Sequence, residues 1–444
     1  MNEIEKKTDM IELKDFENRS DVASNELDSE LGSDKGEFID VNRTHAGSSF
    51  MAYLNVVCVV VGTGILGLPA ALKQGGWIGL LILCLAWFMS IYTSVLLIRC
   101  LYANGTHRLH TYKEIATLAF GKIGGWIAFF FNAWILLGGP ILYIVLSGQN
   151  MNQLCHGTVA EIGAVNWSII CAASVAIPFI LLKDMKDVSW ISALGVVVIF
   201  IVVFVVLIMS AIDKPNQIGM HHDVVVWDMF PVALATISFS FGGNVTYPHV
   251  EAAMKKPKQW PMVVAAGLTT CAALYFIVAV SGYLVYGTNV ASPVYNSIPD
   301  GVGKTIAVVV ITINVLVTVP IYATSFCLDI ENMYDITVER YGKVKEFIIR
   351  ASIRITILVV VTVIACTVPY FDILMSLIGA FGNCTLVFIF PVIFYLKITG
   401  FRNKPIYELA WCALIFLLGI VGLVFGTMEA IKQLIAEVAK PTAL

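Results

Sequence analysis

Long apolar stretches alternate with short polar ones along most of the chain, and this pattern predicts membrane helices. A bilayer core needs about 20 mostly apolar residues in one helix. With that window the sequence predicts eleven spans, at residues 50–72, 75–100, 123–153, 166–182, 189–212, 228–252, 261–286, 303–330, 351–368, 370–397 and 406–429. Continuous apolar runs such as "GVVVIFIVVFVVLIMSAI" favour helices, because barrel strands would alternate apolar with polar residues.

Two of these spans carry residues that disfavour a helix at membrane depth. Residues 60–79, which run from the first span into the start of the second, read "VVGTGILGLPAALKQGGWIG", and residues 240–248 of the sixth read "SFGGNVTYP". Each glycine costs a helix roughly 1 kcal/mol relative to alanine. Because unpaired backbone groups are costly in lipid, irregular backbone persists there only inside protein or beside a polar cavity. The sequence therefore predicts a ligand-facing break in both spans.

The two breaks occupy matching positions of two five-span halves. Interrupted spans at such positions are typical of secondary transporters built from inverted repeats. A half-helix N-terminus offers N–H groups to a carboxylate, and a half-helix C-terminus offers carbonyls to an ammonium group. The pair of breaks therefore predicts a zwitterionic ligand. Two alternatives stay open: the glycines serve only close helix packing, or the ligand is a polyamine or a peptide-like zwitterion.

Composition and charge add the orientation of the chain. It is 58% hydrophobic and 13% charged, with a mean hydropathy of +0.83, whereas a soluble chain carries about 25% charged residues. Short cytosolic loops accumulate Lys and Arg. With the N-terminus in the cytosol, seventeen such residues lie in cytosolic loops between Arg99 and Lys404, and five lie on the other side: Lys73, Lys214, Lys304, Lys432 and Lys440. We expect a multi-pass membrane protein whose C-terminus is extracellular or lumenal.

Three segments follow from these patterns. Residues 1–46 hold 13 acidic against 6 basic side chains and almost no aromatic residues, which is typical of a disordered cytosolic tail. Residues 47–430 form the predicted transmembrane transporter domain, and residues 431–444 a short non-cytosolic tail. The acidic tail is interpreted as a solvated leader or, alternatively, as a regulatory or trafficking segment that binds cytosolic partners.

Four motifs resemble one family when they are taken together. They are "GTGILGLPAALKQGGW" at 62–77, "TYKEIATLAFGKIGGW" at 111–126, "FGGNVTYPHVEAAMKKPKQWP" at 241–261 and "GYLVYGTNV" at 282–290. They are similar to signatures of the amino acid/auxin permease family, and the resemblance covers roughly residues 48–430. It is closest to the vacuolar and vesicular neutral amino acid branch.

The resemblance implies a leucine-transporter-like fold of about eleven helices, with broken helices 1 and 6, that moves amino acids with protons or sometimes with sodium. Sodium-coupled relatives carry an Asn four residues before the first glycine of the first break, where this chain has Cys58. A thiol is a poor ligand for a hard cation. We therefore expect proton coupling, with a sodium-coupled symporter as the alternative.

The predicted substrate-binding residues fall in four spans. Gly62, Thr63 and Gly64 are expected to bind the substrate carboxylate. The expected partners of the amino group are Ser240, Gly242, Gly243 and Asn244, with Asn244 alternatively stapling the broken helix to a neighbour. Further candidates are Tyr143, which alternatively serves packing, and Thr324, whose hydroxyl alternatively bonds its own helix.

Ionisable residues within membrane spans are costly and therefore functional candidates. His249 and Glu251 follow the break in the sixth span and are candidates for proton coupling, since a histidine titrates near neutral pH. The alternative is a hydrogen-bonded histidine at the cytosolic mouth. Asp329 and Glu331 end the eighth span and form an inner gate or, alternatively, a solvated helix end.

Other function classes lack sequence support. The sequence contains no metal-ligand cluster, nucleophile with a base, phosphate loop or channel filter motif. We therefore expect no enzyme activity, no metal, no cofactor beyond the coupling ion and no nucleic-acid partner. The expected partners are an amino acid, predominantly neutral, and the lipid bilayer. The main rival is an amino acid sensor on the same fold, in which the tail binds partners.

Overall fold

The computed structural model describes residues 46–103, 108–181, 185–402 and 404–439. Within these ranges the chain is helical, apart from loops and one isolated backbone bridge between Gly47 and Met254. The α-helices are α1 (Ser49–Val60), α2 (Gly64–Gly75), α3 (Gly79–Leu101), α4 (Tyr112–Leu154), α5 (Ala164–Leu181), α6 (Met185–Asp213), α7 (Phe230–Ser240), α8 (Tyr247–Ala252), α9 (Trp260–Tyr286), α10 (Val302–Met333), α11 (Val338–Tyr341), α12 (Lys343–Thr367), α13 (Phe371–Leu377), α14 (Phe390–Thr399), α15 (Ile406–Val421) and α16 (Thr427–Val438). Two π-helical segments, Ile378–Ile389 and Gly422–Gly426, join α13 to α14 and α15 to α16.

The first predicted break separates α1 from α2, which are bent by 48°. Helix α1 begins after Ser48, whose hydroxyl accepts a hydrogen bond from the Met51 N–H at 3.3 Å and so caps the helix. Helix α2 begins at Gly64, where a side chain would not fit, because a Cβ there would lie 2.7 Å from the Ser240 Cα. The glycine therefore lets the start of α2 touch the end of α7.

The second predicted break separates α7 from α8. Helix α7 ends at Ser240, and α8 begins at Tyr247 with Pro248 in its first turn. Proline suits this position because it has no N–H to leave unpaired and its φ angle is already helical. Both breaks thus lie at glycines, and in the second a proline starts the helix that follows.

By length and composition, eight described helices can cross a membrane, and the bent pair α1–α2 makes a ninth. Two shorter apolar helices, Ala164–Ile180 and Phe230–Ser240, lie where the fourth and sixth spans are predicted. The sixth is short because its break divides it. In α4, Gly121 has a φ of 71°, which glycine adopts without steric cost, and it separates the first two turns from the long helix.

The broken helices lie at the centre of the fold. Nearly every residue of α2 and α7 is buried. The outer helices α12 and α15 instead expose apolar side chains, among them Ile355, Val359, Val363, Leu414 and Leu417. This arrangement suits helices whose outer faces contact lipid.

The predicted terminal segments are only partly visible. Residues 1–45 of the acidic tail lie outside the described residues, as do residues 440–444. The segment that follows residue 430, predicted as a tail, continues as helix α16 to Val438.

Candidate functional site

A central cavity lies at the first break and is closed by four other elements: α4, the end of α7, α10 and the π-helical segment Ile378–Ile389. The space between its wall atoms, open solvent included, is about 340 Å³. Its walls are made by Val59, Val60, Gly62, Thr63, Gly64, Ile135, Gly139, Tyr143, Phe239, Gly242, Tyr322, Ile378 and Asn383. All thirteen side chains are uncharged, so the polar contacts on offer are hydroxyls, one amide and backbone groups.

The start of α2 supplies the donor end of this cavity. Gly62, Thr63 and Gly64, predicted to bind a carboxylate, all line it. The first N–H groups of a helix have no partner within the helix. Thr63 is fully buried, and among the described residues its Oγ1 atom has no hydrogen-bond partner. The break therefore presents a hydroxyl and a half-helix N-terminus at the same place.

The C-terminal ends of α1 and α7 are closed by two tyrosines. The Tyr275 hydroxyl of α9 lies 2.6 Å from the Val60 carbonyl oxygen and 2.5 Å from that of Ser240. The Tyr322 hydroxyl of α10 donates to the Val59 carbonyl at 3.4 Å. The carbonyls that would bind a cation at these ends are thus occupied by phenol groups.

Tyr143 contacts the first break from α4, as the sequence prediction requires. A Cβ at Gly62 would lie 2.7 Å from the Tyr143 hydroxyl oxygen. The rings of Tyr143 and Tyr322 meet edge to face, with centroids 5.8 Å apart. The two aromatic rings therefore form one wall of the cavity.

Asn383 lines the cavity, and the sequence analysis missed it. It lies in the π-helical segment of the tenth span, and a Cβ at Gly242 would lie 2.1 Å from its Nδ2 atom. Its amide donates to the Phe239 carbonyl at 3.3 Å, while among the described residues its Oδ1 atom has no partner. The available signal was an amide inside an apolar span, flanked by small residues in "IGAFGNC". π-Helical turns are frequent at functional sites.

Other predicted substrate residues lie beside the cavity and do not line it. The Asn244 Oδ1 atom accepts from the Ser94 hydroxyl at 3.0 Å, and its amide donates weakly to the Leu386 and Val387 carbonyls. These are contacts of the staple alternative, since they join α3 and the tenth span to the break.

Three further predicted residues share this position. Ser240 donates to the Thr236 carbonyl at 3.0 Å within its own helix. Gly243 lies against Tyr247, whose hydroxyl would be 2.5 Å from a Cβ at that position. Thr324 is fully buried in α10, and within the described ranges its Oγ1 atom has no hydrogen-bond partner. Their roles in substrate binding stay predictions.

His249 and Asp329 come together on the predicted cytosolic side of the cavity. The His249 Nε2 atom lies 3.6 Å from the Asp329 Oδ1 atom, and Asn132 of α4 donates to Asp329 Oδ2 at 2.8 Å. The pair joins α8 to α10, which belong to the sixth and eighth predicted spans and so to the same five-span half of the chain. His249, the candidate for proton coupling, and Asp329, the candidate for the inner gate, therefore lie side by side.

Glu251 and Glu331 are held in separate ion pairs. Arg108 lies 2.6 Å from Glu251 Oε2 and donates to the Pro248 carbonyl at 2.6 Å. Arg354 lies 3.5 Å from Glu331. Both arginines are almost fully buried, so each pair ties two elements together on the predicted cytosolic side. Among the described residues no group of three His, Cys, Asp or Glu side chains could hold a metal ion.

Comparison with known protein sequences finds one family. The family model described as "Transmembrane amino acid transporter protein" matches residues 45–432. Amino acid transporter AVT1E of Arabidopsis thaliana is 27% identical over 410 residues, 90% of this chain and 76% of that protein. AVT1I of the same plant is 29% identical, with 90% and 98% covered. The vesicular GABA transporter of Caenorhabditis elegans is 25% identical, with 87% and 81% covered.

Solved structures share the fold at low sequence identity. A manganese transporter mutant of Eremococcus coleocola aligns with a TM-score of 0.60 and 12% identity, over 92% of this chain and 91% of that one. A Na+-coupled sialic acid symporter aligns with a TM-score of 0.56 and 12% identity, over 95% and 96%. These likenesses confirm the predicted fold class. The sequence relatives and fold neighbours are transporters, not enzymes.

Proposed function

Because the chain belongs to the transmembrane amino acid transporter family, we propose that it carries neutral amino acids across a membrane by alternating access, coupled to protons. The central cavity supports this proposal most directly. A half-helix N-terminus and the unpaired Thr63 hydroxyl suit a carboxylate, and the unpaired Asn383 Oδ1 atom suits an ammonium group. A side chain bound beside these groups would meet uncharged walls.

Proton coupling is favoured over sodium coupling because tyrosine hydroxyls already contact the carbonyls at the helix ends. The carbonyls of Val59, Val60 and Ser240 each lie within hydrogen-bond distance of a tyrosine hydroxyl. A sodium ion needs several free oxygen ligands, and replacing phenol contacts would leave hydroxyls unpaired in the core. His249 and Asp329 instead offer a titratable pair between two moving elements.

Orientation and compartment are part of the proposal. The excess of Lys and Arg in alternate loops supports a cytosolic N-terminus. One sequence relative is a vesicular transporter by name, which favours an organelle membrane over the cell surface. In such a membrane the loop from Cys155 to Gly163 would face the lumen.

Flux measurements in proteoliposomes test the proposal. The purified full chain would be offered a radiolabelled mixture of neutral amino acids under an imposed pH gradient, with and without sodium. Accumulation that collapses with a protonophore and ignores sodium is expected. Accumulation that requires sodium would contradict proton coupling, and uptake of arginine or glutamate alone would contradict a neutral substrate.

A sensor role is the second candidate, favoured by one contact at the root of the acidic tail. The Gly47 N–H donates to the Ala253 carbonyl at 2.8 Å, and the Lys255 N–H donates to the Gly47 carbonyl at 2.9 Å. Gly47, the residue that follows the tail, is therefore hydrogen-bonded to the backbone just after α8. A chain that lacks residues 1–46 should keep its flux if it is a transporter, and should lose signalling if it is a sensor.

A further inference from the structure

A second cavity lies at the predicted cytosolic end of α10 and shares no wall residue with the central one. The space between its wall atoms, open solvent included, is about 260 Å³, and it is lined by Thr111, Lys113, Phe129, Asn132, Asp329 and Met333. The residues come from the start and middle of α4 and from the last turns of α10. Unlike the central cavity, this one has charged side chains of both signs in its wall.

Two oxygen atoms in this wall have no hydrogen-bond donor. Asp329 uses its Oδ2 atom to accept from the Asn132 amide at 2.8 Å. That contact leaves Asp329 Oδ1 and Asn132 Oδ1, and within the described part of the chain neither has a hydrogen-bond partner. The two residues are only 7% and 5% exposed. Buried polar atoms are normally paired, so such acceptors indicate a place for a donor that comes from a ligand.

The opposite charge in the wall belongs to Lys113. Its ammonium nitrogen lies 3.2 Å from the Met333 sulfur and 4.0 Å from the centroid of the Trp126 ring. A thioether and an aromatic face are weak partners compared with a carboxylate. A simple metal cation would be repelled by Lys113, whereas a ligand with both an ammonium and a carboxylate group matches both sides of the wall.

We propose that this cavity is a second amino acid site, in which the ligand ammonium binds Asp329 and Asn132 and the ligand carboxylate binds Lys113. The proposal rests on the proposed transport of amino acids. It adds a second binding site between the central cavity and the predicted cytosolic surface. Phe129 and Met333 in the wall suit an apolar ligand side chain.

The position of His249 is expected to make ligand binding at this site depend on pH. Its Nε2 atom lies 3.6 Å from Asp329 Oδ1, the oxygen assigned to the ligand ammonium. A protonated His249 therefore competes with the amino acid for one carboxylate. The other charged groups on the neighbouring elements are paired elsewhere: Glu251 with Arg108, and Glu331 with Arg354. A proton and an amino acid are thus expected to exclude each other here.

Binding stoichiometry tests the second site. Saturation binding of radiolabelled L-alanine to the purified full chain at pH 8 should give two sites per chain. Lys113→Met and Asn132→Leu should each leave one. Lys122→Met is the matched control, because Lys122 is an exposed lysine on the same helix, outside both cavities, and it should keep two.

Two measurements on the unmodified chain test the same site without variants, which could lose binding because they misfold. Lowering the pH to 5 should remove one alanine site. Ethylamine, which lacks the carboxylate, should displace alanine from both sites far less well than glycine does.

The outcomes separate the two proposals. A single site that ignores Lys113→Met, Asn132→Leu and pH would overturn the second site and leave transport through the central cavity intact. Two sites that persist unchanged at pH 5 would overturn the competition with His249. No alanine binding at any pH would overturn this site together with the proposed function.

Discussion

Single side chains from distant helices close the ends of the broken helices. Tyr275 of α9 approaches the terminal carbonyls of both α1 and α7, and one hydroxyl therefore joins the two breaks. Asn383 approaches the second break from the tenth span. Neither residue is marked by a motif, yet Tyr275 occupies the terminal carbonyls of both breaks and Asn383 offers the oxygen that is proposed to bind the substrate ammonium group.

Replacing Tyr275 by Phe should destabilise the protein. The change leaves buried carbonyl groups without their donor, which costs about 1–3 kcal/mol. Thermal unfolding in detergent should show a clearly lower midpoint. Tyr53→Phe is the control, since its hydroxyl pairs with Thr270 at a partly exposed position, and its midpoint should change little. Equal midpoints for the two variants would show that Tyr275 does not hold the breaks together.

Replacing Asn383 by Leu should weaken substrate binding more than folding. Loss of one buried hydrogen bond of about 1–3 kcal/mol should raise the KM of uptake by roughly 5- to 150-fold. Thr385→Val is the control, because the Thr385 hydroxyl bonds only the Phe381 carbonyl of its own helix. Uptake kinetics in proteoliposomes provide the readout. A KM for Asn383→Leu equal to that of the control would remove Asn383 from the binding site.

Whole elements are tied together on the predicted cytosolic side. Arg108, in the loop before α4, holds Glu251 and the Pro248 carbonyl of α8. Gly47, before α1, bonds the backbone after α8. Under the proposed alternating access, opening this side would require α1 and α8 to separate from these partners. We therefore call the Arg108 and Gly47 contacts a latch on the two half-helices.

Removing the Arg108 contacts of the latch should increase local unfolding of α8. Arg108→Gln removes the charge that compensates buried Glu251, and loss of a buried partner is strongly destabilising. Hydrogen exchange of the α8 amides should accelerate by about tenfold or more. The control is Arg340→Gln, whose pair with Asp335 is exposed at 4.0 Å and should leave α8 unaffected. Unchanged exchange in Arg108→Gln would contradict the latch.

The loop after α4 should respond to pH on the predicted lumenal side. The Glu161 side chain, 2.8 Å away, raises the pKa of His156 above its ordinary 6.5, and the Gly157 N–H, followed by His156, lowers the pKa of Glu161 below 4.5. The stabilising effect of His156 is full below pH 6.5 and is lost as pH rises through its raised pKa. That of Glu161 is full above pH 4.5 and is lost as pH falls through its lowered pKa.

Both contributions are therefore complete only between pH 4.5 and 6.5. Hydrogen exchange of residues 155–163, corrected for intrinsic rates, should be slower at pH 5.5 than at pH 8. Glu161→Gln should abolish this difference, whereas Glu429→Gln, in α16, should preserve it. A difference that survives in Glu161→Gln would assign the pH response to other groups.

The whole chain is expected to place its two ends on opposite sides of the membrane. An odd number of spans and the bias of Lys and Arg toward alternate loops give this result. Epitope tags at the two ends should therefore differ in protease sensitivity in sealed vesicles. Tags that are cleaved together would contradict either the span count or the orientation.

The sequence by itself determined the helical membrane architecture, the positions of both breaks and the family. These features act locally: apolar length sets a span, and the glycine clusters at 62–64 and 242–243 lie where the first and sixth spans are interrupted. The sequence also placed Gly62, Thr63, Gly64, Gly242 and Tyr143 at the cavity, because they lie in or beside a break.

Only the tertiary structure decided which side chains meet at these breaks. Tyr275 is 215 positions away in sequence from Val60, and Asn132 is 197 positions away from Asp329. Apolar periodicity does not encode such pairings, since many helix arrangements bury the same faces. The packing of α4, α9 and α10 around the broken helices selects one arrangement, and with it the tyrosine closures, Asn383 and the second cavity.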